Sequence, residues 1–146
     1  MNTIEYVTLE EVRKVCEELK IRDWTKLDKP KIQSEEARVI LSKLNVGAMK
    51  IDIEDFRQGL EVELEHGISF KDANVTNNHP ILTGKIVLAH LKESLDYYKR
   101  LDVAEIEGDL FKAAVSKDSA KLAALYKKLI DAKLILSKTE ASQLAQ

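Results

Sequence analysis

Between residues 80 and 101 the apolar side chains fall on two sides of a helical wheel. At about 100° per residue, Leu82, Ile86, Ala89, Tyr97 and Leu101 share one stripe, and Leu88, Leu91, Leu95 and Tyr98 share another. A helix that is apolar on two sides must be covered on two sides, so this segment predicts the central helix of a packed assembly. Composition says what covers it. With only 5 Gly and 2 Pro the chain has little material for hairpin turns, while Ala, Leu, Lys and Glu favour helix. The expected fold is all-α: a single-domain helical bundle of about five to six helices over residues 1–146, with no significant sheet.

The other helices announce themselves by caps and stripes. Thr8 and Glu11 form a capping-box pair ahead of Leu9, Val12, Cys16 and Leu19, predicting a helix over residues 8–20. Residues 21–32 have no periodicity and read as a connector, with Trp24 plugging into the core. Ser34 is expected to cap a second helix carrying Ala37, Ile40, Leu41 and Leu44, with Gly47 as its stop. Asp52 opens a third, with Ile53, Phe56, Leu60 and Leu64 on one stripe and Gly67 as its C-terminal cap. A polar loop over residues 68–79 leads to Pro80, which suits a first helical turn. Asp102 with Glu105 recaps a short helix to Val115, Asp118 starts a last one to about Leu136, and the tail KTEASQLAQ is expected to fray.

Charge and cysteine usage exclude several classes. The 23 Lys and Arg nearly balance 25 Asp and Glu, so no global field draws the chain to nucleic acid or an anionic membrane. No run approaches the length of a membrane span, and the N-terminus lacks the pattern of a signal peptide. The lone Cys16 sits on an apolar stripe and reads as a small core hydrophobe, so the expected location is cytoplasmic.

One position breaks the pattern. Glu93 falls in the middle of the first apolar stripe of residues 80–101, where a Leu would be expected, with His90 one turn before it and Tyr97 one turn after. A buried carboxylate needs a proton, a cation, hydrogen bonds or a metal. On the third helix, Glu63 is the Glu of ELEHG nearest the apolar stripe, and His66 shares its side. Pairs three apart on a helix converge to about 5–6 Å, and two such Glu/His pairs on facing helices would offer zinc, iron or manganese a His₂Glu₂ site. The candidate metal ligands are therefore Glu63, His66, His90 and Glu93, with Tyr97, His79 and Lys85 behind them or in an adjoining cleft. A dinuclear centre would need two further Glu that the sequence does not offer. The alternative is a metal-free polar network in which the same side chains satisfy one another and Tyr97 or Lys85. TGK at residues 83–85 lacks the glycine spacing of a phosphate loop, and no Ser/His/Asp arrangement has usable spacing.

The words FRQGLEVELEHG, NVTNNHP, TGKIVLAHLKE and YYKRL over residues 52–101 resemble an uncharacterised family of small, mainly bacterial proteins known only as a domain of unknown function. Its members show patterns like GLxVELEHG, NVTxDDP, KIALAHLxE and YYxRL. The resemblance implies that Gly59, Glu63, Glu65, His66, Gly67, Asn74, Thr76, Pro80, Lys85, Ala89, His90, Glu93, Tyr97 and Tyr98 belong to the family's signature. It implies no activity. Asn77, Asn78 and His79 stand where acidic residues are usual, which makes His79 the substitute donor in that loop. Residues 30–49 read as inserted, residues 8–45 as N-terminal helices and residues 102–137 as additional C-terminal ones.

Two functions follow from these residues. One is a helical protein with a mononuclear divalent-metal site, whose open coordination position would activate water for hydrolysis if the protein is an enzyme. The other is a binding or assembly module whose C-terminal helices engage a protein partner or a second copy. The sequence leaves enzyme and non-enzyme open.

Overall fold

The computed structural model describes residues 6–146, which form six α-helices and two short 3-10 turns, with no strand among the described residues. The all-α expectation is met. None of these helices is long and apolar enough to cross a membrane. The chain divides into two compact units, Met1–Glu93 and Ser94–Gln146.

In the first unit, α1 (Leu9–Leu19) opens with the predicted capping box: the Glu11 N–H donates to Thr8 Oγ1 at 3.2 Å and the Thr8 N–H to Glu11 Oε2 at 2.8 Å. It buries Val12 and Cys16, and burial pushes the Cys16 thiol up from its ordinary pKa. The connector holds a 3-10 turn at Trp24–Lys26, and Trp24 is fully buried, as expected of a core plug. Helix α2 (Ser34–Ser42) begins one residue earlier in its capping than predicted. Gln33 occupies the cap and its N–H donates to Glu36 Oε2 at 3.0 Å, while the Ser34 hydroxyl donates to Glu54 at 2.6 Å. The helix stops at Ser42, and Gly47 takes its positive φ of 59° in the turn beyond.

Helix α3 (Ile53–Ser69) starts where Asp52 accepts from the Glu54 and Asp55 N–H groups. It buries Phe56, Gly59, Leu60 and Leu64. The helix does not end at Gly67 but passes through it. Glycine is needed there for a different reason: a Cβ would lie 2.8 Å from Asn74 Cγ, so the loop side chain rests directly on the helix backbone.

Helix α4 (Pro80–Glu93) packs against α1, α2 and α3. It buries Pro80, Thr83, Gly84, Val87, Leu88 and Leu91, whereas Ile86 and Ala89 of the first predicted stripe are exposed. Glu93 is exposed as well, which corrects its assignment to the core. Glu93 shares the face of α4 that carries Ile86 and Ala89, and the helix buries its other face; the stripe is also interrupted by a helix break. The stripe that placed Glu93 at its middle ran on to Tyr97 and Leu101, but α4 ends at Glu93 and α5 (Tyr97–Val115) starts a new helix.

The break is made by Asp96, which is 2% exposed. It accepts from the Ser94 hydroxyl, from Arg100 Nε at 3.0 Å and from Arg100 Nη2 at 2.8 Å. The Arg100 guanidinium, working against burial, holds its carboxyl below the usual range. A short side chain that gathers local donors in this way competes with the helical backbone and favours a helix start. The restart expected at Asp102 is absent, because Asp102 lies inside α5.

The second unit is a hairpin of α5 and α6 (Ser119–Leu144), joined through Lys117 at φ 56° and capped by Asp118, whose Oδ1 accepts from the Lys121 N–H at 3.0 Å. Leu122, Leu125, Leu129, Ala132 and Leu136 recur at spacings of three and four, and this stripe supplies the buried residues Leu125, Leu129 and Ala132. The tail expected to fray is helical to Leu144. It is built of good helix formers, and Glu140 meets Arg100 at 3.3 Å.

Gly84 fixes how closely α2 approaches α4. A Cβ at this position would lie 2.7 Å from Ile40 Cγ2 and 3.2 Å from Leu44 Cδ1. Gly84→Ala is therefore expected to destabilise by about 1–3 kcal/mol through overpacking, exceeding the gain of about 1 kcal/mol that Ala brings to a helix interior. Gly108→Ala, where nothing lies within 4 Å, is expected to be neutral or stabilising. Equal responses of the two variants in denaturant unfolding would contradict this reading.

Candidate functional site

Helices α3 and α4 bring one pair of the four expected ligands together. Glu63 Oε1 lies 3.5 Å from His90 Nε2, with the side chains 17% and 32% exposed. His66, one turn beyond Glu63, is turned to solvent in the last part of α3, and Glu93 is exposed at the end of α4. Among the described residues no three His, Cys, Asp or Glu side chains gather into a group able to hold a metal ion. What the geometry provides is a carboxylate–imidazole contact across two packed helices. Both groups are partly shielded from water.

The three remaining residues have separate settings. Tyr97 opens α5 in the C-terminal unit, its ring meeting that of Tyr98 edge-on with centroids 5.1 Å apart. His79 caps α4. Its Nδ1 accepts from the Ile81 N–H at 3.2 Å and the Leu82 N–H at 3.3 Å, satisfying donors that Pro80 and the first turn leave without helical partners. The imidazole also lines a cleft of about 360 Å³ with Tyr6, Glu11, Lys14 and Glu18. Burial, above all, and the Lys85 ammonium lower its pKa, and its own backbone and the Glu11 carboxylate offset this in part.

Lys85 belongs to another cavity, of about 450 Å³, which it lines with Lys43, Leu44, Asn45, Leu88, Ala89 and Lys92. The TGK segment around it has structural explanations. The Thr83 hydroxyl donates to the His79 carbonyl at 2.9 Å, and Gly84 makes room for α2.

Sequence reasoning passed over the most buried charged group of the first unit. Glu36, 3% exposed, accepts from Arg22 Nε at 3.0 Å, Arg22 Nη2 at 2.6 Å, the Gln33 N–H at 3.0 Å and the Trp24 indole at 3.3 Å. Burial pushes its carboxyl up, but Arg22, Gln33 and Trp24 together outweigh this and hold it below the ordinary range. The signal lies in the three-residue spacing of Gln33 and Glu36, a capping pair one position before Ser34. A second chain of bonds runs from there. Asn78 Nδ2 donates to the Trp24 carbonyl at 3.3 Å, and Asn74 Nδ2 donates to Asn78 Oδ1 at 2.8 Å. Both loop side chains are thus engaged in holding the fold.

His79 can accept two N–H groups only while Nδ1 is unprotonated. Its pKa lies lower in the folded chain than the usual value near 6.5, so the unfolded chain takes up the proton first as pH falls. This contribution to stability is complete above about pH 6.5 and is lost as pH drops from there toward the lowered folded value. His79→Asn, which keeps a capping oxygen, is expected to remove this part of the pH dependence, and His79→Ala to cost about 1 kcal/mol at pH 7.5. Identical stability profiles for wild type and His79→Asn between pH 7.5 and 5.5 would count against the cap.

Residues 12–107 match the model of a family described as "Protein of unknown function (DUF5661)". The matched span starts well before residue 52, so it takes in α2 and the segment over residues 30–49. No curated protein and no solved structure matches the chain.

Proposed function

Since the chain belongs to this family of unknown function, no activity comes with membership, and we propose from the geometry that it is a non-enzymatic assembly module. In this reading Glu63 and His90 hold α3 to α4, and the α5–α6 hairpin joins a second copy of the chain. The observation that carries it is the hairpin's exposed apolar surface: Phe111 is 72% and Tyr126 61% exposed, with Val115, Ile130, Leu134 and Ile135 also open. Tyr97, Leu101, Ala104, Gly108, Phe111 and Val115 recur at spacings of four and three along α5, on the side opposite Val103, Ile106 and Leu110. On α6, Ala123, Tyr126, Ile130 and Leu134 form a second seam beside the one that packs on α5. Seams of this kind are partner surfaces of helical bundles.

Charge favours a second copy as the occupant. Helix α5 carries Asp102, Glu105, Glu107 and Asp109 in its middle, with Lys99, Arg100 and Lys112 toward its ends. Helix α6 carries Lys121, Lys127, Lys128, Lys133 and Lys138 against Asp131 and Glu140, so the middle of α5 is acidic and α6 is basic on balance. A two-fold axis that lays α5 of one copy along α6 of the other sets opposite charges face to face. At 1.5 Å rise per residue and about 10 Å width, the two helices offer about 700 Å² per partner, near the roughly 800 Å² of a standard interface.

In light scattering and sedimentation over a range of concentrations the protein is expected to be a dimer, with Phe111→Glu combined with Ile130→Glu giving a folded monomer. A wild-type monomer at every concentration would sink the proposal.

The metal reading rests on the same Glu63–His90 pair as two donors, and to complete the His₂Glu₂ set both His66 and Glu93 would have to turn inward. Zinc, iron(II) or manganese(II) is therefore expected to leave the melting temperature unchanged. A rise that His90→Ala abolishes would restore that reading.

A further inference from the structure

The cavity between the end of α2 and the outer half of α4 has a one-sided lining. Its floor is apolar, formed by Leu44, Leu88 and Ala89, and its rim carries Lys43, Lys85 and Lys92. No carboxylate lines it. Asn45 completes the lining, and its Oδ1 accepts from the Gly47 N–H at 3.2 Å. The three lysines and the Asn45 amide nitrogen supply the cavity with hydrogen-bond donors. Among the described residues none of the three lysines forms an ion pair, in a chain whose formal net charge is -2. Surface lysines in a nearly neutral protein are ordinarily interspersed with acids, so three lysines lining one cavity with no carboxylate among its lining residues mark a local positive field beside an apolar surface.

We propose that this cavity binds a small organic anion with an apolar body, its carboxylate or phosphate head held by Lys43, Lys85, Lys92 and the Asn45 amide and its body laid on Leu44, Leu88 and Ala89. The volume of about 450 Å³ suits such a ligand, since binding cavities of roughly 300–1,000 Å³ pair an apolar lining with a few convergent polar groups. The lysines recognise the head as point charges, which accept a carboxylate and a phosphate alike. Helix α4 gives the site its shape. Lys85, Ala89 and Lys92 recur at four and three residues along one face, and Gly84 brings the end of α2 close enough to close the far wall. The site lies wholly within the first unit and does not depend on how the α5–α6 hairpin associates.

The test is calorimetric titration of the full-length protein at low salt with four probes: octanoate, octyl phosphate, inorganic phosphate and octyltrimethylammonium. Octanoate, octyl phosphate or both are expected to bind at least about tenfold more tightly than the cation with the same tail and than inorganic phosphate, and to weaken as salt is raised. Which of the two binds more tightly identifies the head group. Lys85→Gln combined with Lys92→Gln is expected to weaken binding by about fivefold or more while leaving the melting temperature of the free protein unchanged. Ala89→Phe, at an exposed position, is expected to fill the cavity and abolish binding with the fold intact. Lys128→Gln, on another helix, is expected to change nothing. Equal binding of the anionic and cationic tails, no binding of either amphiphilic anion, or affinity untouched by both the lysine and the Ala89 substitutions overturns the proposal.

Discussion

The first unit depends on the burial of Trp24. An indole removes roughly 150–250 Å² from water, and it can do so only if its N–H and the backbone of its turn are satisfied. All three requirements are met by different segments. Glu36 of α2 accepts from the indole, Cys16 of α1 accepts from the Trp24 N–H at 3.5 Å, and Asn78 before α4 donates to the Trp24 carbonyl. One residue in a segment without periodicity therefore ties α1, α2 and the entrance to α4 together. The cost is a carboxylate with 3% exposure, and the bidentate Arg22 guanidinium is what makes that carboxylate tolerable.

From that anchor the positions of the candidate sites follow. Asn78 and Asn74 hold the loop against Gly67, His79 then caps α4, and α4 runs between α2 and α3 at a depth set by Gly84. The inner face of α4 is thereby consumed in packing. Beside that face His90 meets Glu63 of α3, and farther out Lys85 and Lys92 line the cavity at the end of α2. The C-terminal hairpin has a different balance. Tyr98, Ala113, Leu125, Leu129 and Ala132 are its only buried hydrophobic residues, while larger side chains stay open on both helices. Two helices alone have too few faces to cover what this sequence supplies, and the proposed pairing with a second copy would cover it.

How much of this was legible depends on the range of the interaction concerned. The capping box at Thr8, the Asp52 and Asp118 caps and the core plug at Trp24 are local patterns that the structure keeps, and the stripes of α1 and α3 are buried at Val12, Cys16, Phe56, Leu60 and Leu64 while Leu9 is exposed. The misreading of residues 80–101 as one helix has a specific cause. Periodicity across residues 94–96 is good, and the side chain that interrupts it, Asp96, is itself a common residue on helix surfaces; its buried bidentate bond to Arg100 is a matter of burial that no spacing reveals. The core position expected of Glu93 failed for a separate reason: it shares the face of α4 that carries Ile86 and Ala89, and that face is exposed.

The sequence by itself determined the class of the fold, the number and nearly all the starts of its helices, and the residue types on offer for chemistry, because hydrophobic period and cap chemistry act within a few residues. Only the tertiary structure decided which of the two apolar faces of α4 is buried. Both faces are apolar enough, and the choice falls to the one with the small side chains at Thr83 and Gly84, where another helix can approach. That choice turned Glu93 and Ala89 outward, kept His90 within reach of Glu63, and left three lysines around an apolar floor.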